Sequence, residues 1–149
     1  MLKSLCAFLF VLGLAASLAA RCQEPCVTFL VPPEYPVLAR MAGIQGAIRI
    51  RIRIDKEGRV TDAKAIPWEK NAYPELNRKT VESDYKVLSK AAIDNVTQWR
   101  FKPTEEPCDL TIEYDYRMEG RPSYYHRTKL RFHLPSKVEI IDNPPSPHP

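Results

Sequence analysis

Ala47-Ile48-Arg49-Ile50-Arg51-Ile52-Arg53-Ile54, running into Asp55-Lys56-Glu57-Gly58-Arg59-Val60, is the stretch that decides the fold. Apolar and charged residues alternate with period two, and the apolar ones are β-branched, which marks a half-buried strand. Successive side chains of a strand point to opposite faces. Ile48, Ile50, Ile52 and Ile54 therefore share one face, and Arg49, Arg51 and Arg53 share the other. The arginine face reads either as a basic patch for an anionic partner or as the wet side of an antiparallel sheet; the second is preferred. Asp55 to Gly58 is a hairpin turn, since Asp bonds its own backbone and Gly accepts positive φ. Residues 59–66 return as a second strand. Val60, Ala63 or Lys64, and Ile66 do not alternate cleanly there, so a bulge or an irregular end is expected.

Working outward, Pro32-Pro33 makes 21–33 an extended lead-in. Pro36 fits the first turn of a helix over 36–41, with Val37, Leu38 and Met41 on one side and Gly43 as the stop. Residues 67–84 are polar, with Pro67 and Pro74 as breakers. They read as a long loop with a helical turn near 74–78. Trp68 and Tyr73 in it are either contact aromatics or caps on the core edge. The main helix spans 84–99, with Ser83 or Asp84 as N-cap. Val87 or Leu88, Ala91, Ala92, Val96 and Trp99 form the stripe that packs on the isoleucine face. Pro103 ends that run, and Trp99 and Phe101 read as core plugs. Residues 108–118 are a third strand. Leu110, Ile112, Tyr114 and Tyr116 lie on one face, and Thr111, Glu113 and Asp115 on the other. After a turn at 119–122, residues 124–134 read as a further strand pairing back as a hairpin. Segment 135–149 opens on the strand-like Val138-Glu139-Ile140-Ile141 and ends in a polyproline-like, disordered tail.

The N-terminus has Lys3, an apolar run over 5–18 and small residues at Ala15, Ala16, Ser17, Ala19 and Ala20. That is the layout of a secretory signal peptide cut after Ala19 or Ala20. The run is shorter than the ~20 residues of a membrane span. Arg21, bulky and charged, argues against lipid attachment at Cys22. Membrane association is expected only if the signal stays uncleaved or Cys22 carries lipid. The remaining chain of about 130 residues is one domain's worth. Its formal charge, +4 for the full chain, is too small to argue for nucleic acid. Cys22, Cys26 and Cys108 remain after the signal. In an oxidising compartment a Cys26–Cys108 disulfide is expected, worth up to ~4–5 kcal/mol by loop closure, with Cys22–Cys26 as the competing pair. His126, His133 and His148 are not spaced as metal ligands.

No glycine-rich phosphate loop and no nucleophile elbow occurs, and Asp55 with Glu57 is turn chemistry. No catalytic residue, cofactor or metal is expected, and the chain reads as no enzyme. A small sheet with exposed edges remains. An edge strand is a template for an added strand, the surface used in peptide recognition by β-augmentation.

Residues 35–103 carry a more specific pattern: Tyr35, Pro36, Ala39, Arg40, Gly43, Gly46, Asp55, Gly58, Val60, Ala91, Ala92, Val96, Trp99, Phe101 and Pro103. In order and spacing this resembles the C-terminal domain of TonB-family energy transducers, with weaker likeness through Met118. The resemblance implies an α+β fold, an antiparallel sheet of three or more strands packed by one main helix and one short N-terminal helix. It implies a periplasmic binding module linked to TonB-dependent transport. The partner would be a peptide segment of an outer-membrane receptor, or another envelope protein. In the family the strand after the main helix receives that segment, which maps to Leu110, Thr111, Ile112, Glu113, Tyr114, Asp115 and Tyr116, an edge that the C-terminal extension over 124–141 could cover. A full transducer has a membrane helix and a long proline-rich spacer. Here about a dozen residues separate the signal from Tyr35, so a stand-alone adaptor is expected. The alternatives are a structural or self-associating envelope protein of the same fold, and a membrane-anchored form facing the periplasm. The expected organisation is 1–20 signal, 21–33 lead-in, 34–134 TonB-like domain with a C-terminal hairpin extension, and 135–149 proline-rich tail.

Overall fold

The computed structural model describes residues 21–23, 25–67, 78–125 and 127–146. The signal segment, Trp68, Tyr73, His126 and His148 lie outside the described residues. In chain order the elements are β1 (Val27–Phe29), α1 (Val37–Met41), β2 (Gly46–Ile54), β3 (Val60–Ala65), α2 (Arg78–Val96), β4 (Arg100–Phe101), β5 (Cys108–Met118), β6 (Lys129–His133) and β7 (Lys137–Asp142). The fold is α+β. Five strands form one sheet in the order β3-β2-β5-β7-β6, and β1 with β4 forms a small second pair.

The alternation in β2 does what its period dictates. Ile48, Ile50, Ile52 and Ile54 are all buried, and Arg49, Arg51 and Arg53 are exposed. The following turn closes with Gly58 N–H on Asp55 O at 3.0 Å and Arg59 N–H on the Asp55 carboxylate at 2.7 Å. Gly58 sits at φ +80, and a Cβ there would lie 2.0 Å from the Phe101 carbonyl oxygen. Only glycine allows both that φ and that approach. The expected irregularity falls where the β2–β3 register shifts, between Arg53 and Ile54.

Helix α2 begins at Arg78, earlier than the expected 84, so Ser83 and Asp84 lie inside it and are not caps. No Pro or Gly interrupts 75–102, so nothing in the sequence forces a later start. Leu88, Ala92 and Val96 are buried against the isoleucines, with Val87 only half-buried. Trp99 and Phe101 are core residues. Asn95 is a polar centre in this core. Its Oδ1 accepts from Tyr114 Oη at 2.8 Å and from Trp99 Nε1 at 3.1 Å, while its Nδ2 donates to Val31 O at 3.0 Å. Tyr116 Oη, by contrast, is buried with no hydrogen-bond partner. Its ring meets Tyr35 edge-on at 5.4 Å.

Three further expectations are corrected. The disulfide is Cys22–Cys108, not Cys26–Cys108, and Cys26 is an exposed thiol. Backbone pairing explains the choice: Cys22 N–H bonds Asp109 O at 3.2 Å, whereas Cys26 O is held by Lys102 N–H at 2.8 Å beside β4. Cys22 is thereby laid next to the start of β5. Second, the strand within 124–134 does not pair back on β5. It is β6, and it pairs antiparallel with β7. Third, residues 137–142 are no part of a tail. They form β7, with Val138, Ile140 and Ile141 buried. β7 pairs parallel with β5, because the chain leaves β5, skips one strand position, descends as β6 and rises again between them. Val138, Ile140 and Ile141 supply the apolar bulk that an interior strand requires, and β6 has less of it.

Candidate partner-binding edge

The residues expected to receive a partner lie on β5, and their facing is as the alternation requires. Ile112, Tyr114 and Tyr116 are buried, Leu110 is half-buried and Thr111 is exposed. Their place in the sheet is different. β5 is an interior strand. One side pairs with β2 in unbroken register from Gly46–Tyr116 to Ile54–Cys108. The other side pairs with β7 from Glu113–Lys137 to Met118–Asp142. Cys22 takes the Asp109 carbonyl, so on that side only the short interval around Thr111 lacks a register partner. The expected docking edge is occupied by the chain's own C-terminal strand.

Two sets of contacts hold β7 there. On the outer face Lys137 Nζ reaches Glu113 at 3.0 Å and Asp115 at 3.1 Å. Arg117 joins Asp115 and Glu139, each at 2.9 Å. The hydrogen bonds that Lys137 donates to Glu113 and then to Asp115 raise its pKa above the usual value. Glu113 and Asp115 thus bridge strands instead of waiting for a ligand. The second set is at the far end of β7. Arg40 of α1 is 4% exposed. Its Nη2 donates to Ser123 O at 2.7 Å and its Nε to Asn143 O at 2.9 Å, with the Asp142 carboxylate 3.5 Å away. Asp142 also accepts from Arg127 N at 3.2 Å, Asn143 N at 2.7 Å and Thr128 Oγ1 at 3.1 Å. A buried guanidinium needs this degree of satisfaction. Arg40 and Ala39 therefore take the inner side of α1. Val37, Leu38 and Met41, grouped on one side as expected, are turned to solvent.

Among the described residues the sheet ends on β3 and β6. Ladder parity shows which main-chain groups are presented. Glu113 N–H bonds Ser136 O and Glu119 N–H bonds Asp142 O. Even-numbered residues of β7 therefore face β5, and Lys137, Glu139 and Ile141 face β6. Their register partners His133, Arg131 and Lys129 face back. The main-chain groups of Leu130 and Phe132 are left on the outer edge of β6. On β3, Ile66 N–H bonds Arg49 O, which by the same parity leaves Thr61, Ala63 and Ala65 outward. A shallow depression of about 460 Å³ lies beside β3, lined by Arg51, Arg53, Lys64, Asp62 and Asp109 among others. Its charges are largely answered within it: Arg53 meets Asp109 at 3.2 Å and Lys64 meets Asp62 at 2.9 Å.

Among the described residues no group of His, Cys, Asp and Glu converges as a metal site, and no helix is long and apolar enough to cross a membrane. The β6 edge was not singled out from sequence, although its signal is there: Arg127, Lys129 and Arg131 alternate with Thr128, Leu130 and Phe132. The same period that marked β2 marks this strand.

Residues 31–118 match the family described as the Gram-negative bacterial TonB protein C-terminal. The chain is also similar to the solution NMR structure of the Pseudomonas aeruginosa TonB CTD, at 18% identity and a TM-score of 0.42, over 67% of this chain and 92% of that one. Comparison with curated proteins returns no match.

Proposed function

The chain belongs to the family of Gram-negative bacterial TonB C-terminal domains, and from that premise we propose that it is a periplasmic binding module of TonB-dependent transport, docking an extended segment of an outer-membrane receptor or another envelope protein by strand addition. It works by recognition, without a catalytic step. The observation that carries this reading is where the match stops. The family region ends at Met118, the last residue of β5, and the chain then adds two strands whose outer edge is open among the described residues. β5 is withdrawn as the docking strand, since β7 fills its side. The function needs an edge, and the added strands move that edge outward.

The test is capture of synthetic receptor plug segments on the immobilised mature protein, read by surface plasmon resonance. Retention of at least one segment is expected. Failure to retain any, while a full transducer's C-terminal domain retains its own under the same conditions, overturns the reading. The closed β5 side favours a second reading, a structural or self-associating envelope protein of the same fold. It becomes the better one under that outcome.

A further inference from the structure

We propose that the outer edge of β6 is the docking strand and that it selects an extended peptide with acidic residues at alternate positions and apolar residues between them; this rests on the strand-addition reading above. The edge offers three things at once. Leu130 and Phe132 present main-chain groups with no strand beside them among the described residues. On the core-side face Phe132, the register partner of buried Val138, is 39% exposed, and Leu134 in the turn just past the strand is 47% exposed, so apolar surface continues at this end of the edge. On the other face Lys129 and Arg131 are exposed, and Arg127, two positions before the strand, is exposed as well. Arg131 has a distant carboxylate in Glu139 at 3.6 Å, which it shares with Arg117 and His133. Among the described residues no carboxylate pairs with the side chain of Lys129 or Arg127.

The alternation decides the occupant. An added strand lays its side chains on the same two faces as β6. Positions facing Arg127, Lys129 and Arg131 call for carboxylates, and positions beside Phe132 and Leu134 call for aliphatic or aromatic groups. A second copy of this chain is the poor match. Any antiparallel pairing of two β6 edges that keeps the apolar rims on one side sets basic residues opposite basic residues, with Arg131 facing Arg131 or Lys129. Like charges directly opposite destabilise a sheet. The β3 edge is the weaker competitor. Its outward positions carry Ala63 and Ala65, and Asp62 and Lys64 neutralise each other.

The experiment is fluorescence anisotropy of the mature, disulfide-bonded protein with three labelled peptides: Glu alternating with Val, Lys alternating with Val, and a scramble of the first. The Glu peptide should bind, the Lys peptide should not, and added salt should weaken the complex. Phe132→Pro removes an outward N–H without touching the β7 ladder, so the fold is kept and affinity should fall about tenfold or more. Lys129→Glu should lower it comparably, Lys129→Arg should preserve it, and Arg51→Glu on β2 should leave it unchanged. Lys129→Glu decides the case if the proline variant fails a circular dichroism check. Glu-peptide binding unaltered by Phe132→Pro and Lys129→Glu overturns the β6 assignment while leaving strand addition elsewhere intact. If receptor plug segments bind but the Glu and Lys peptides bind alike, the charge selection is overturned. Binding of no peptide of either kind, plug segments included, removes both readings. A dimer in sedimentation equilibrium that Phe132→Pro dissolves overturns the proposal in favour of a second copy.

Discussion

Arg40 bears more of the structure than its place in a short exposed helix suggests. Its guanidinium joins α1 to Ser123, Asp142 and Asn143, all outside the matched family region, so one side chain fastens the C-terminal strands to the N-terminal half. Arg40→Ala takes the buried guanidinium away from the Asp142 carboxylate and from the Ser123 and Asn143 carbonyls, and should cost about 3–5 kcal/mol in urea unfolding. Arg40→Lys should recover little, because one ammonium does not reproduce the guanidinium's fixed fork. The two inner tyrosines of β5 make a paired contrast. Tyr114→Phe removes a buried bond to Asn95 and should cost about 1–2 kcal/mol. Tyr116→Phe removes a hydroxyl that has no partner and should be neutral or stabilising by up to about 1 kcal/mol. Thermal melts of the two variants check the sign. The burial of Ile48 to Ile54 was legible from sequence because facing is a local property of one strand. The role of Arg40 was not. It belongs to the family pattern, and its partners lie 83 and 103 positions away.

At the level of elements, alternation reports which face a side chain takes and is silent on which strand lies alongside. That is why the facing of β5 follows from its sequence and its interior position does not. The apolar run Val138-Glu139-Ile140-Ile141 is strand-like in sequence, but the prolines that follow it give the whole segment the composition of a tail. What places it beside β5 is a long-range parallel pairing, and sequence periodicity does not encode that. Disulfide choice is of the same kind. Cys22 and Cys26 are four positions apart, and only the neighbouring strand distinguishes them. Cys22→Ser should lower stability by about 4–5 kcal/mol in the chain-entropy account, since the bridge spans 86 residues. Cys26→Ser should change it little. Denaturation of both variants, with non-reducing peptide mapping of the parent, checks the pairing.

Across the whole molecule the core is rich in buried phenols. Burial raises the pKa of Tyr35, Tyr114 and Tyr116 well above the ordinary 10.0. A folded-state pKa above the unfolded one means the stabilisation is complete below pH 10 and declines as pH rises past it, because only the unfolded chain gives up those protons. Unfolding midpoints should therefore drop above pH 10, and the tyrosinate absorbance of these three should appear together with loss of structure.

The Cys22–Cys108 bridge also sets a load path. Tension entering through the residues before Cys22 reaches β5 through a covalent link and bypasses the loop it closes. If the other pull comes from beyond Asp142, the parallel strands β5 and β7 are drawn from opposite ends. Their ladder is then sheared as a block, not peeled bond by bond. Single-molecule stretching should show a high rupture force under oxidising conditions. With reductant, the contour length released should grow by the loop of 86 residues.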